Sequence, residues 1–158
     1  MTFHIDIQWA CEQIITISDD LLVRWAELPL LEHENTAELT LRLVNAEEMT
    51  HLNHHYRQQN KLTNVLAFPS EIPDLVELDY PFLGDVVICP MVVERECSEQ
   101  GKTLEAHCAH LVIHGVLHLL GYDHIKDDGA QQMQAIETRL LSQLGFADPY
   151  QIEDENFG

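Results

Sequence analysis

Three histidines in the second half of the chain are the residues whose types and spacing best suit chemistry. His114 and His118 are four residues apart, and His124 follows six residues later. In a helix, four residues amount to about 6 Å of rise and about 40° of rotation, so His114 and His118 share a face. Gly121 follows, where a left-handed glycine commonly ends a helix and lets the chain turn back. That reversal would bring His124 to the open side of the pair, and three imidazoles with a fourth position left for water are typical of a catalytic zinc site.

The residue after the first histidine restricts this chemistry. The pattern His-x3-His-x2-Gly-x2-His has the spacing of the metzincin zinc proteases, which place a general-base glutamate directly after the first histidine. This chain has Gly115 there. The spacing therefore predicts a metal site without ordinary metalloprotease chemistry, unless a carboxylate such as Asp85 or Asp123 supplies the base.

Other histidines offer a competing set of ligands. His110, His114 and His118 would rotate by about 80° around one helix, which makes a shared ion difficult, so His124 is preferred as the third ligand. We expect His107 and His110 to be hydrogen-bonded core or surface histidines. The remaining cluster, in a predicted helix nearer the N-terminus, is expected to be solvated; its members are His51, His54 and His55.

Two aspartates near these motifs are candidates for a supporting role. Asp123 adjoins His124 and is expected to orient a neighbour or cap the turn rather than bind the ion. Asp85 stands near the start of a predicted strand, where it is either an exposed strand-end residue or a group in the cleft.

Length and composition indicate a single domain with no membrane segment. We expect one domain over residues 1–146 and a loosely held acidic tail over residues 147–158 of the 158. The apolar runs are too short to span a membrane and the first residues lack the layout of a signal peptide, which predicts a cytoplasmic protein. Four cysteines occur without a Cys-x-x-Cys pair, which favours reduced thiols.

The charge balance limits what the surface can attract. The chain has 27 acidic and 8 basic residues and a formal net charge of −19, which repels a polyanion over most of the surface. Arg57 and Lys61 are close together, whereas acidic residues concentrate in 71–79 and 148–155. A local basic cleft on an acidic body remains compatible with the sequence, and a divalent ion would add to its positive charge.

Hydrophobic periodicity predicts the elements that must position these residues. The predicted strands are Phe3–Gln8, Ala37–Val44, Val65–Phe68 and Leu83–Cys89. The predicted helices run from Ser18 to Pro29, from a cap at Asn45 to Arg57, from Pro90 to Gln100, from a cap at Thr103 to Leu120, and from Asp127 or Asp128 to Leu144. The polar face of the last helix is expected to be solvated surface. The fold class is α+β with α/β character, a single layer of mixed four-stranded sheet packed with about five helices.

Four blocks in this order resemble the YbeY family of bacterial metal-dependent endoribonucleases, which act in ribosomal RNA maturation. They are Tyr56-Arg57, Thr63-Asn-Val-Leu-Ala-Phe-Pro69, Leu83-Gly-Asp85 and His114-Gly-Val-Leu-His118-Leu-Leu-Gly-Tyr-Asp-His124. The resemblance extends from the second predicted strand to the last helix. Ala67 stands where the family usually has serine, and Asn64 where aspartate is common; these departures concern a local hydrogen bond and not the predicted ligands.

The resemblance implies one zinc ion per chain, held by His114, His118 and His124, with Arg57 as the functional arginine. The implied activity is a single-strand-specific endoribonuclease that acts in 16S rRNA 3′-end maturation and ribosome quality control, in which zinc-bound water attacks the phosphodiester. The sequence adds Lys61 as a weaker phosphate contact, and Asp85 and Asp123 as groups behind the ligands. The implied partners are the ribosomal RNA precursor and the small ribosomal subunit, together with a ribosomal protein or GTPase, and no membrane.

Two other hypotheses stay open at this point. The same histidines could serve a zinc peptidase or amidohydrolase, which would need a carboxylate base from elsewhere in the chain. Alternatively, the metal could only stabilise a non-catalytic ribosome-assembly factor. The strongly acidic composition favours this second alternative, because it predicts weak binding to naked RNA.

Overall fold

Four strands and five helices form the part of the chain that the computed structural model describes, which comprises residues 2–12, 15–33, 36–59, 61–70, 81–122 and 127–150. In chain order they are β1 (Thr2–Ala10), α1 (Asp19–Leu31), β2 (Thr36–Val44), α2 (Ala46–Arg57), β3 (Val65–Pro69), β4 (Phe82–Ile88), α3 (Pro90–Gln100), α4 (Leu104–Leu119) and α5 (Asp127–Gln143).

The strands form one mixed sheet in the order β1-β2-β4-β3. The pairs β1–β2 and β2–β4 are parallel, and β3 runs antiparallel to β4. The mixed four-stranded sheet with five helices confirms the predicted α+β class.

The two faces of the sheet are covered differently. Leu39, Leu41 and Leu43 of β2 are fully buried in the main core, beneath α1 and α4. On the opposite face, α2 covers a smaller cluster that contains Met49 and Val87. Other residues of this second face remain half-exposed, among them Thr40, Arg42 and Asp85. One face of the sheet is therefore closed and the other is partly open.

Helix α4 is the centre of the fold, since it contacts α1, α3, α5, β3 and β4. Its ends follow the sequence prediction. The Thr103 hydroxyl accepts a hydrogen bond from the Ala106 N–H at 3.2 Å, and Gly121 adopts a left-handed conformation with φ of 103° after the last turn. The local cap signals therefore place the histidine-bearing helix correctly.

Two details differ from the sequence prediction. Helix α1 continues past Pro29 to Leu31, because Leu30 is fully buried in the core and its burial outweighs the hydrogen bond that a proline cannot donate. Asn45 occupies the N-cap position of α2, but its side chain does not cap that helix. It accepts a hydrogen bond from the Glu12 N–H at 3.1 Å instead.

The structure bears on the predictions for the cysteines and for membrane helices. All four cysteines are free, which confirms the prediction of reduced thiols. Among the helices in the described ranges, none has the length and apolar character that crossing a bilayer requires.

Gly115 allows α4 to approach β4 closely. A Cβ atom at this position would lie 2.5 Å from Cγ1 of Val86, a short and stiff side chain that cannot move far. The helix face that carries Gly115 is thus packed against the sheet, while His114 and His118 remain half-buried. This contact leaves no room for the glutamate that metzincins place here.

Gly115→Ala should therefore destabilise the protein. Overpacking typically costs about 1–3 kcal/mol, and the better helix propensity of alanine offsets about 1 kcal/mol of that cost. We expect a net loss of up to about 2 kcal/mol in the free energy of unfolding, measured by urea denaturation. Val86→Ala removes the clashing methyl groups. The double variant Gly115→Ala/Val86→Ala should therefore lose less free energy of unfolding than the sum of the losses in the two single variants. Strict additivity would contradict the proposed steric cause.

Candidate active site

His114 and His118 meet on the open side of α4. Their Nε2 atoms are 3.1 Å apart and their rings are perpendicular, with centroids separated by 4.6 Å. Two imidazole nitrogens bound to one tetrahedral zinc ion, each at 2.0–2.1 Å, would lie about 3.3 Å apart. The observed spacing therefore suits two nitrogens that share an ion.

Glu137 of α5 fixes the orientation of this pair. Its side chain has no exposed surface, and its Oε1 lies 2.6 Å from Nδ1 of His114. When Nδ1–H of His114 donates to this carboxylate, the lone pair of the ring is on Nε2, which faces His118. A carboxylate behind a histidine is the usual support of a metal ligand.

The second oxygen of Glu137 has its own partners. Its Oε2 lies 3.1 Å from Nε2 of His110, and it also accepts a hydrogen bond from the Tyr150 hydroxyl. Burial alone raises the pKa of Glu137, but the hydrogen bonds from His110 and His114 outweigh burial and lower the pKa to about 2. The buried group is thus a charged carboxylate with hydrogen-bond donors on both oxygens.

The prediction that the polar face of α5 is solvated is wrong at Glu137. The sequence did contain a signal, since Glu137 is four residues after Met133 and three before Leu140, both of which are buried in the core. A glutamate at this spacing lies within the apolar stripe of the helix. Such a residue is rarely buried without a partner.

His107 and His110 are hydrogen-bonded histidines, as predicted. His107 is almost fully buried, and its Nε2 lies 3.0 Å from Oε1 of Glu96 on α3; burial lowers its pKa. His110 is directed to Glu137 and Tyr150. The competing ligand set that includes His110 is therefore not assembled. The three histidines of α2, His51, His54 and His55, are exposed.

The third predicted ligand is not among the described residues. His124 and its neighbour Asp123 lie outside the described residues. Within the described ranges, no three His, Cys, Asp or Glu side chains converge to hold an ion.

A cavity of about 590 Å³ opens beside the two histidines, and we call it the histidine cavity. Arg57 and Lys61 line it together with His114 and His118. Among the described residues that line it, Arg57 and Lys61 are the only Lys, Arg, Asp or Glu side chains. A chain of net charge −19 thus lines this cavity with positive charge, which is the local basic cleft that the composition left open.

Arg57 is held by the backbone of β3, since its Nη2 donates to the carbonyl oxygen of Ala67 at 2.7 Å. This contact does not depend on whether residue 67 is alanine or serine. Asn64 donates from Nδ2 to Glu96 at 3.0 Å, a bond that an aspartate could not make. The two departures from the family pattern therefore leave the contact of Arg57 intact.

The structure does not bring Asp85 to the histidines. Asp85 lies on the partly open face of the sheet, whereas its neighbour Val86 points to Gly115 on the other face. Burial raises the pKa of Asp85, although a hydrogen bond with Thr40 opposes the shift. It lines a second cavity that also contains Arg42 and Glu48.

Comparison with known proteins identifies close relatives. The chain matches the family described as "Endoribonuclease YbeY" over residues 8–145. It is 54% identical over 154 residues to the protein named endoribonuclease YbeY of Legionella pneumophila strain Corby, covering 98% of both chains. It is also 54% identical to the protein of that name from Pseudomonas putida strain W619, covering 97% of this chain and 96% of the other. The solution structure of TM1509 from Thermotoga maritima is similar, with a TM-score of 0.58, 29% identity and coverage of 85% and 86%.

Tyr150→Phe should destabilise the protein through Glu137. The variant loses a hydrogen bond to a buried charged group, which typically contributes about 1.5–3 kcal/mol. We expect a loss in the free energy of unfolding near the lower end of that range, measured by urea denaturation in buffer with a chelator. Tyr122→Phe is the matched control, because its hydroxyl bonds to His33 at an exposed site. Equal losses in the two variants would contradict a special role for the bond to Glu137.

Proposed function

The chain belongs to the endoribonuclease YbeY family and is a hydrolytic endoribonuclease, and we propose that it cleaves single-stranded RNA in the histidine cavity. The observation that carries this proposal is the lining of that cavity. On an acidic chain, the cavity beside His114 and His118 presents Arg57 and Lys61. An anionic phosphodiester is attracted to such a site and repelled by most of the remaining surface.

The proposed cofactor is one zinc ion per chain, held by His114, His118 and His124. The 3.1 Å spacing of the two Nε2 atoms and the carboxylate of Glu137 behind His114 support this assignment. When bound, a zinc ion polarises a phosphoryl oxygen and lowers the pKa of a coordinated water toward about 7.

Arg57 and Lys61 have separate roles in the proposed reaction. Hydrolysis joins a water oxygen to phosphorus and breaks one phosphorus–oxygen ester bond, while negative charge builds on the phosphoryl oxygens. The guanidinium of Arg57 can hold two of these oxygens at once, and the carbonyl oxygen of Ala67 fixes its position. Lys61 is a point charge at the cavity and contributes mainly to attraction.

The geometry supports phosphodiester cleavage better than peptide hydrolysis. A zinc peptidase needs a carboxylate base near the ion. Among the described residues, Gly115 has no room for one and Asp85 is on the other face of the sheet. The substrate that we propose is the 16S rRNA precursor at its 3′ end, as the family resemblance implies, in maturation and quality control of the small ribosomal subunit.

The acidic surface bears on the proposed partners. With a net charge of −19, most of the surface repels naked RNA, so long-range steering toward RNA is weak. A ribosomal protein or GTPase that holds the enzyme at the small subunit would supply the missing affinity.

Arg57→Ala should abolish cleavage and leave zinc binding intact. Loss of one charge-stabilising donor typically costs about 100- to 1,000-fold in rate, and Arg57 is not among the proposed ligands. The measurement is cleavage of a labelled single-stranded ribosomal RNA precursor, paired with zinc content by mass spectrometry, on ribonuclease-free protein.

Two further variants complete this experiment. His114→Ala should lose zinc and cleavage together. Arg95→Ala is the matched control, because Arg95 is an exposed arginine on α3, and it should retain both. If Arg57→Ala also lost zinc, Arg57 would be a structural residue. If the wild-type protein bound zinc but cleaved no RNA, that result would argue against the proposed cleavage in the histidine cavity.

Glu137→Gln should weaken zinc binding while keeping the fold. Glutamine has nearly the same shape as glutamate but lacks the charge that holds Nδ1–H of His114, and loss of such a group typically lowers metal affinity about 10- to 100-fold. The affinity is measured by competition with a chelator. In metal-free protein, nitrogen-15 NMR of the histidines should show that His114 loses its preference for the Nδ1–H tautomer.

Glu96→Gln is the matched control for this prediction. Glu96 forms the same kind of contact with His107 on the same helix, but His107 is not a proposed ligand. The zinc affinity of Glu96→Gln should equal that of the wild-type protein. Similar losses in both variants would mean that Glu137 acts only through general stability.

A further inference from the structure

The partly open face of the sheet contains a second cavity of about 1080 Å³, which we call the sheet groove. Its charged and aromatic lining residues are Arg42, Glu48, Tyr56, Arg57, Phe68, Phe82 and Asp85. It shares Arg57, Ala67 and Pro69 with the histidine cavity. The two cavities therefore adjoin, and Arg57 lies where one meets the other.

Aromatic rings stand at this junction. Tyr56 is 61% exposed although it is a large aromatic side chain. Its ring meets Phe68 edge-on, with centroids 5.2 Å apart. The guanidinium carbon of Arg57 lies 5.8 Å from the centre of the Phe68 ring, within the range of a cation–π contact. An exposed tyrosine in this position is available to stack with a flat ligand.

The charges of the sheet groove differ from those of the histidine cavity. Arg42 is paired with Glu48 through Nε at 2.7 Å and Nη2 at 3.1 Å, and its Nη1 donates to Gln8 at 3.1 Å. Asp85 adds a further carboxyl group to the lining. Because Glu48 already neutralises Arg42, this groove does not favour a phosphate. It offers aromatic faces and a row of hydrogen-bonding groups, which suit a neutral heterocycle with polar edges.

We propose that the sheet groove is a nucleobase subsite, in which a base adjoining the cleaved phosphate stacks on Tyr56 beside Phe68. The phosphate lies in the histidine cavity at Arg57, and the attached nucleotide passes that residue into the groove. There Gln8, the Arg42–Glu48 pair and Asp85 present donors and acceptors to the edge of the base. This inference rests on the proposed function, because its ligand is the RNA held at Arg57.

Stacking gives single-strand preference a physical basis. A base inside a duplex is covered on both faces and paired along its edge, so it cannot reach Tyr56 without unstacking. An unpaired base has a free face. The subsite therefore selects RNA that is single-stranded next to the cleaved bond.

The test replaces single bases of the substrate by abasic ribosides. Cleavage of a labelled single-stranded RNA is compared with cleavage of a series that has one abasic position each, near the cut. For the wild-type protein, we expect a position beside the cut at which the abasic substitution lowers kcat/KM by roughly 5- to 150-fold, the range that one stacked base contributes. In Tyr56→Leu, the intact RNA should lose a similar factor and the abasic RNA should lose little more.

Two variants make the result specific to the groove. Tyr56→Phe keeps the ring and should retain the wild-type dependence on the base. Trp9→Leu also removes a partly exposed aromatic ring, but Trp9 alternates with Gln8 along β1 and points to the other face of the sheet. It should likewise retain that dependence. An abasic penalty of equal size in Tyr56→Leu and wild type would overturn the subsite.

Failure of the proposed function would be visible separately. If the wild-type protein cleaved no intact RNA at all, the nuclease proposal would fail. The affinities of wild type and Tyr56→Leu for the intact and abasic oligonucleotides, measured at equilibrium by fluorescence anisotropy, would then replace the cleavage rates in this comparison. Equal affinities of wild type and Tyr56→Leu for intact RNA would overturn the subsite on that route as well.

Discussion

A helix as apolar as α4 can carry histidines through its buried stretch only because carboxylates of neighbouring helices accept their hydrogen bonds. An imidazole buried without a partner costs several kcal/mol, on the order of any buried polar group. Glu96 of α3 accepts from His107, and Glu137 of α5 accepts from both His110 and His114. Removal of either carboxylate would leave donors unpaired next to the core. These hydrogen bonds therefore determine where α3 and α5 can lie against α4.

The hydrogen bonds of Glu137 lie on one side of His114, and the histidine cavity lies on the other. Glu137 is fully buried, so its negative charge stays behind His114 and away from the histidine cavity. On the open side, the cavity gains Arg57 and Lys61. The chain can thus be strongly acidic as a whole and still present a cationic site, because the described residues that line the cavity include Arg57 and Lys61 and no carboxylate.

Local signals predicted most of the fold, and long-range packing decided what they missed. The alternation of Leu39, Leu41 and Leu43 marks a buried strand face, and Thr103 and Gly121 mark the ends of α4 by local cap chemistry. The face of the sheet on which Asp85 lies, relative to the histidines, depends on which helix covers each side of the sheet. No short window around this residue contains that information.

The candidate site was predictable to the same extent. Its positions at His114, His118 and Arg57 follow from helical spacing and from the family resemblance. The role of Glu137 required knowing that α5 packs on α4, although its place in an apolar stripe was a usable hint. His124, which the sequence favours as the third ligand, is not among the described residues, so its part in the site remains a prediction.

The close contact of Gly115 with Val86 has a chemical consequence that suits an anionic substrate. A glutamate beside the first histidine serves a peptidase, whose substrate is neutral and whose attacking water needs a base. A phosphodiester already carries negative charge, so a carboxylate at that position would repel it at the point of reaction. The first requirement for phosphodiester cleavage is neutralisation of charge, which Arg57 and Lys61 provide among the described lining residues. The packing that excludes a glutamate at residue 115 thus also removes a source of repulsion for an anionic substrate.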